Sequence, residues 1–536
     1  MTPEARAPPA GAKVRSEAHW GRVINCYAER AANLGDRIAV IAAARPDSIA
    51  VVDGDVRASY GELYRQAGSV AAMLAADGVR AGDRVAVMLV NGADAVRAVV
   101  AILRIGAVLV AISARSRAAE LDYICADCAP AAIIHGPEFA AVVGGAPSAP
   151  CLSYDVSTAA WHDACEREDA ALPAPCVDED ALFAILYTSG TTGRPKGATL
   201  THLGAVHSCL HWRDAFGLGD NERTLVCVPW AHVSGLCGVV MPFLYFGGTL
   251  IMLPEFKRRA ALELAAQERI THALMVPAMY GLCLLEPDLA EFNLKAWRIA
   301  AYGGAPMPEP TIGRFAAAFP WLAMCNAYGA TETTSPATIM PPGEGTAHAD
   351  SIGRVVACGD IRVMDDNGRE VAPGADGELW IAGPMVVPCY WNNPEATSGS
   401  FVGGYWKSGD VGSVDADGYV RIADRKKDMI IRGGFKIYPA EVESVLAGLD
   451  GVIEAAVVGQ PEMILGERVV AFVTAADGTV TPSLVRDWCA ERLSDYKVPS
   501  DVIVDTAPLP RNANGKIQKS ELRNRASALT SGEKTA

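Results

Sequence analysis

Residues 187 to 197 read Tyr-Thr-Ser-Gly-Thr-Thr-Gly-Arg-Pro-Lys-Gly, with three glycines, four Ser/Thr hydroxyls and two cations in eleven positions. That is the makeup of a loop that handles phosphate. The run Ala181 to Leu186 before it is short and apolar and reads as a buried strand, so the loop leaves a strand end, where α/β proteins seat ligands. Glycines let backbone N–H groups approach phosphate oxygens with no Cβ in the way. Thr188, Ser189, Thr191 and Thr192 add donors, and Lys196 adds charge. A nucleotide polyphosphate is the natural guest.

The P-loop of kinases and GTPases is excluded, because Lys196 lies between Pro195 and Gly197 and no Ser or Thr follows it to hold magnesium. The proline also discourages a helix start there. The remaining alternative for the segment is a plain Gly/Ser/Thr turn.

Outward from the loop, short apolar runs alternate with helical patterns from Ile38 to about Ile251. Val85 to Leu89, Val108 to Ile112, Ala132 to Ile134 and Leu225 to Val228 read as strands, so the fold class is α/β with largely parallel, layered sheets. A helix over about Arg258 to Glu268, the run Thr271 to Val276, a helix over Glu309 to Ala318 and the run Ala323 to Asn326 extend this into a second sheet. After Gly353 come short alternating strands, Ile361 to Met364, Gly377 to Ala382 and Tyr419 to Ile422, which predict a small β-barrel-like subdomain. From the charged segment Ala423 to Asp428 onward, helix Pro439 to Leu449, strands Ala455 to Val458 and Val469 to Thr474, and helix Ser483 to Leu493 predict a small α+β domain. The expected division is 20–426 for a large domain and 427–525 for a small one, with flexible termini over 1–19 and 526–536.

With 536 residues, the chain is too long for one core, and a formal net charge of -15 disfavours nucleic acid and anionic membrane surfaces as partners. Ala98 to Ile112 is broken by Arg104 and Gly106 and reads as a buried helix leading into a strand, not a membrane span. Met1 to Trp20 has no apolar core and does not read as a secretory signal. The fourteen cysteines lie mostly in apolar contexts and point to a reducing, cytoplasmic setting. Cys125 and Cys128 form C-x-x-C with no second pair nearby, and the nine histidines show no ligand spacing, so no transition metal is implied.

Taken whole, residues 187 to 197 resemble the phosphate loop of the adenylate-forming superfamily, which holds acyl-CoA synthetases, firefly luciferase and peptide-synthetase adenylation domains. Further segments match in order from about Trp20 to Arg525. Asn326-Ala327-Tyr328-Gly329-Ala330-Thr331-Glu332 is similar to the family segment whose aromatic stacks on adenine, whose threonine binds the α-phosphate and whose glutamate binds Mg2+. Those roles suit Tyr328, Thr331 and Glu332 as flat face, short donor and hard oxygen. Gly303, Gly304 and Ala305 fall at the strand end where adenine and acyl group lie. Asp410, in Trp406-Lys407-Ser408-Gly409-Asp410, matches the acceptor of the ribose hydroxyls, and Arg425 matches the arginine that also reaches the ribose. Asn326 and Ala327 complete the nucleotide set with Thr188, Ser189, Gly190, Thr191, Thr192 and Lys196.

Within the resemblance, Lys427 falls at the family hinge and Lys516, in Pro510 to Lys516, matches the lysine that stabilises the transition state of adenylation. Gly433, Gly434 and Phe435 match the turn that passes the pantetheine arm of coenzyme A. Pro229 to Gly235 lacks the acidic residue that amino-acid activators carry, so the acyl pocket implied by His232, Val233, Tyr302, Gly303, Gly329, Thr333, Ser335 and Ala337 suits a neutral acid. Ala111 to Arg115 departs from the family's usual Pro-Leu-Asn-Pro-Arg.

The implied activity is an ATP-dependent acid–CoA ligase that uses ATP, Mg2+ and coenzyme A and acts on an aromatic, alicyclic or medium-chain monoacid. Transfer to a carrier protein or an amine, and a silent nucleotide-binding relative, are the alternatives. Monomer and homodimer both stay open. The Pro-x-x-x-x-Gly-Lys pattern ending at Lys516 implies a lysine acetyltransferase as a further partner.

Overall fold

The computed structural model describes residues 13–150, 152–167, 177–189, 194–475, 478–511 and 517–532. Two sheets dominate. One has six strands, in the order Pro195–Thr201, Leu182–Ser189, Val108–Ala111, Arg84–Met88, Ala132–His135 and Leu152–Asp155. It is parallel except at Pro195–Thr201, which runs antiparallel to Leu182–Ser189. The other has nine strands, with a parallel centre formed by Ala323–Tyr328, Ile299–Tyr302, His272–Met275, Arg223–Val226, Thr249–Met252 and Ile49–Asp53. Their central strands are buried on both faces, which is why they read as unbroken apolar runs. Helix Ala93–Ile105 is buried almost all round and ends at Gly106, whose φ of 75° forms a left-handed cap.

One buried side chain ties both sheets to the site. The Asn91 amide donates to the carbonyls of Val226, Val228 and Leu253, and its Oδ1 accepts the Trp230 N–H at 2.9 Å. Asn91 thus follows one sheet, spans two strands of the other and fixes the start of Pro229 to Gly235.

Strands Asp360–Met364, Gly377–Ala382, Tyr405–Val414, Phe401–Val402 and Val420–Arg425 form the expected small antiparallel sheet. A further sheet of five strands spans Ile430–Arg432, Phe435–Ile437, Val452–Glu462, Gly466–Ala475 and Asp501–Asp505. It carries apolar clusters of its own, one around Val442, Val457, Ala471 and Val485 and one around Ala456, Phe472 and Leu522.

Parts of both ends expected to be flexible, 14–19 and 526–532, belong to elements of the fold. Val14–His19 pairs antiparallel with Arg22–Tyr27 across a turn in which Trp20 and Gly21 both have positive φ, 49° and 73°. Such a two-residue turn suits the right-handed strand twist. At the other end, helix Lys519–Gly532 runs past 526 because Leu522 and Ala526 are buried in the cluster of Phe472. No helix of the described residues is long and apolar enough to cross a membrane.

Candidate active site

Asp410 and Arg425 face each other as cross-strand partners of Tyr405–Val414 and Val420–Arg425. The guanidinium Nε lies 2.9 Å from Asp410 Oδ1. On the other oxygen, the Tyr328 hydroxyl donates to Oδ2 at 2.5 Å. Asp410 is only 4% exposed, while the Arg425 side chain that caps it is about half exposed. Burial, then the neighbouring Asp410 carboxylate, hold the Tyr328 phenol well above its ordinary pKa and keep it a donor. The same carboxylate raises Arg425. The result is a flat aromatic face, an acidic acceptor and a cation in one cluster, which suits a nucleoside.

A second cluster forms around Glu332, which is buried and whose Oε1 accepts the Tyr390 hydroxyl at 2.7 Å. The Lys196 ammonium sits 5.1 Å from the centre of the Tyr390 ring. Tyr390 is therefore a link between the phosphate-loop strand and the glutamate. Burial and then Glu332 raise its pKa, so it too remains protonated. The segment around it is stitched in by Trp391 N–H to Gly197 O at 2.7 Å and Val387 N–H to Glu332 O at 2.9 Å. Sequence reasoning missed Tyr390, because the contact spans 58 residues and needs the bridge between Ala198 and Tyr390. Gly197 owes its identity to this crowding: a Cβ there would stand 2.8 Å from Ile185 Cγ2 and 3.3 Å from Trp391 Cβ.

The predicted loop residues Gly190, Thr191 and Thr192 lie outside the described residues, as does Lys516. Thr188 and Ser189 end the strand Leu182–Ser189, and the Thr188 hydroxyl lies 3.5 Å from the Lys196 carbonyl across the antiparallel pair. Asn326 and Ala327 precede Tyr328 on one strand, and their register against Thr338–Ile339 sets the turn between. In that turn, Thr331 opens a short helical turn and Thr334 and Ser335 have left-handed φ of 48° and 39°. Non-glycine residues held there concentrate at ligand sites. Gly329 is confined by Thr333 Oγ1 and the Pro336 backbone, at 3.1 and 3.2 Å from a Cβ placed on it.

Of the acyl-pocket candidates, His232 and Val233 are partly exposed at the head of a helix that passes through a π-helical turn over Leu236–Val240. Such turns recur at functional sites. Thr333, Ser335 and Ala337 are buried. Gly303 abuts the Ala327 carbonyl, which leaves no room for a side chain, while Gly304, with φ of 79°, and Ala305 are exposed. Tyr302 departs from the expectation. Its side chain is 1% exposed and packs with Ala300, Met275 and Tyr280 in the second apolar cluster, whereas Ala301 faces the first cluster with Ala327. Alternation along the strand turns Tyr302 away from the face that Ala301 and Ala327 share.

Gly433 and Gly434, at φ of 58° and 86°, make the tight turn between Ile430–Arg432 and Phe435–Ile437. Phe435 is 56% exposed and stacks on Tyr496 at 4.6 Å. Among the described residues, no hydrogen bond or ion pair joins this turn to Asp410, Tyr328 or Glu332. Lys427 is exposed, in the turn that follows Val420–Arg425.

Comparison with known proteins agrees with this geometry. Residues 38–391 match the AMP-binding enzyme family and residues 441–516 its C-terminal domain. The chain is 37% identical to a feruloyl-CoA synthase of Amycolatopsis sp over 90% of its own length and 96% of the relative's. It is 35% identical to the long-chain-fatty-acid–CoA ligase FadD13 of Mycobacterium tuberculosis, over 88% and 94%. The structure of an anthranilate CoA ligase, AuaEII, in complex with anthranoyl-AMP superposes with a TM-score of 0.86 and 26% identity, covering 92% of this chain and 97% of that one. ATP and coenzyme A serve as its substrates in AMP-forming acid–thiol ligation. With a family match over more than half its length, the chain belongs to the AMP-binding enzyme family.

Proposed function

We propose that the protein activates an aromatic, alicyclic or medium-chain monocarboxylic acid as its acyl-adenylate and passes the acyl group to coenzyme A. The observation that carries this reading is the joint presence of the Tyr328–Asp410–Arg425 cluster and the Glu332–Tyr390–Lys196 cluster. In the first half-reaction the acid's carboxylate oxygen attacks the α-phosphorus and pyrophosphate leaves. Asp410 accepts from the ribose hydroxyls, Tyr328 stacks on the base and Thr331 donates to the α-phosphate. Glu332 would hold Mg2+, since a buried carboxylate with one described hydrogen bond keeps lone pairs for a hard cation. When bound, that ion neutralises phosphate charge. Lys516 adds an ammonium beside the same oxygens, an effect of about 3 kcal/mol for one such contact.

In the second half-reaction the coenzyme A thiol attacks the acyl carbon, and AMP leaves with the bonding pair. The small domain over 427–525 turns about Lys427 to bring Gly433, Gly434 and Phe435 to the acyl-adenylate. An acid without an α-ammonium is favoured, because Pro229 to Gly235 offers no carboxylate to pair with one.

The test is pyrophosphate release with ATP, magnesium and a panel of aryl, alicyclic and short- to long-chain acids, each with and without coenzyme A. Turnover that needs coenzyme A with a neutral acid supports the reading. A single turnover unaffected by coenzyme A moves the search to a carrier protein or an amine.

A further inference from the structure

The N-terminal hairpin gathers a donor set that lies apart in sequence. Antiparallel pairing of Val14–His19 with Arg22–Tyr27, and the period of two along each strand, put Glu17, His19 and Cys26 on one face. One ligand atom from each lies within 4.8 Å of the others, the only such group among the described residues. We propose that Glu17, His19 and Cys26 bind a divalent cation of the zinc type, with Glu179 beside the remaining coordination position.

Four observations support it. The donors are a nitrogen, a sulfur and an oxygen, a mixture that suits zinc better than magnesium or calcium. Asp180 Oδ1 lies 2.7 Å from His19 Nδ1, and a carboxylate on the far nitrogen is the usual means of aiming the other nitrogen at a metal. That other nitrogen, Nε2, faces Glu17 Oε2 at 3.3 Å and Glu179 Oε1 at 4.0 Å. The contact with Glu17 is a hydrogen bond when Nε2 carries the proton; with the proton on Nδ1, toward Asp180, Nε2 presents a lone pair to the site. Finally, the Cys26 thiol is 0% exposed and makes no hydrogen bond among the described residues.

Charge balance agrees. Glu17, Glu179 and Asp180 are three negative charges set against two from Arg15 and Arg30, which leaves one negative charge. Release of the Cys26 proton to solvent as the metal–sulfur bond forms makes it two, which a divalent ion cancels. Arg30 donates to both oxygens of Glu17, at 2.9 and 2.7 Å, and is not a bar to ligation. Oε1 accepts from Arg15 as well as Arg30, so Oε2, with Arg30 as its one arginine donor, is the oxygen that keeps a lone pair toward His19 and the metal, and the guanidinium fixes the carboxylate's orientation. The ion would fasten the hairpin to residues 177–180, which lead into Leu182–Ser189 and its phosphate loop.

The test uses chelator-treated full-length protein titrated with Co2+ and followed by absorption, then with Zn2+ followed by thermal unfolding. One equivalent of Co2+ with a thiolate-to-cobalt charge-transfer band is expected, with a melting temperature raised by Zn2+. Cys26→Ser should abolish the band, and His19→Gln, which can still donate to Asp180, should weaken Co2+ binding about tenfold or more. Absence of a stoichiometric band, or a band that persists in Cys26→Ser, overturns the proposal. Should Cys26→Ser not fold, unchanged Co2+ affinity in His19→Gln overturns it alone.

Discussion

The phenol oxygen of Tyr328 lies 2.5 Å from Oδ2 of Asp410, while Arg425 holds Oδ1 at 2.9 Å. A ribose that binds here meets an acceptor already aligned by two donors, so little is spent on ordering it. Asp410→Asn removes the charge and leaves Arg425 facing an amide. ATP affinity should fall by roughly 10- to 100-fold, the equivalent of losing one charged hydrogen bond. Tyr328→Phe keeps the stacking face and loses one donor, so its effect should be smaller. Calorimetric titration with ATP checks both; a Tyr328→Phe defect larger than that of Asp410→Asn would remove Asp410 as the ribose acceptor.

Tyr390 holds Glu332 at 2.7 Å, and its ring lies beneath the Lys196 ammonium. Tyr390→Phe preserves the ring and deletes the donor, which leaves the carboxylate less fixed. The concentration of magnesium at half-maximal pyrophosphate release should rise about 5-fold, for a bond worth about 1 kcal/mol. Glu332→Gln should abolish that saturation outright. An unchanged magnesium profile in Tyr390→Phe would mean that the hydroxyl serves packing alone.

What could be read beforehand follows what was apolar. Strand Arg84–Met88 is buried on both faces and announces itself as a hydrophobic run. The hairpin of Val14–His19 does not, because the face it turns inward is largely covered by ions, Arg30 and Glu17, His19 and Asp180, with Ile24 and Cys26 packing on Leu203. A pattern of apolar residues has no signal for a surface sealed by charge. Tyr302 illustrates another limit. Its neighbours Gly303 and Gly304 were read as a ligand-facing turn, yet alternation sends the tyrosine to the opposite cluster. Asp410 and Arg425 were legible by resemblance, but their ion pair needed the strand register to show why both sit there.

Acid should loosen the large domain. Burial depresses His207 to about 3 and His202 to about 4. His207 is locked neutral, Nδ1 against the Leu203 carbonyl at 2.9 Å and Nε2 accepting the Tyr27 N–H at 3.1 Å. Below the ordinary histidine pKa of about 6.5 the unfolded chain takes up protons that the folded one refuses, so stability falls as pH drops. Between pH 7 and 5 the loss should be about 2 kcal/mol per such histidine. Urea unfolding at the two pH values measures it, and equal midpoints would show that these rings are protonated in the fold.

Asp424 joins the two sides of Lys427. Its Oδ1 accepts the Arg425 N–H at 2.6 Å and its Oδ2 accepts the Ala440 N–H at 2.8 Å, at the first turn of helix Pro439–Ala447. The proposed rotation about Lys427 would break the Ala440 bond. The pairs Asp428–Arg523 and Glu443–Lys519, at 2.6 and 2.7 Å, lie wholly on the C-terminal side of Lys427 and would be kept in the proposed rotation. Asp424→Ala should therefore shift the balance of arrangements by about 1 kcal/mol, favouring whichever half-reaction requires the rotated state. The Lys427 N–H takes part in none of the described backbone hydrogen bonds, so Lys427→Pro removes torsional freedom without removing a bond. Single-turnover adenylate formation should then separate from transfer of preformed acyl-adenylate to coenzyme A, one slowed about tenfold and the other little changed. An equal loss in both steps would move the pivot away from Lys427, since a fixed torsion can hinder only the step that needs it to turn.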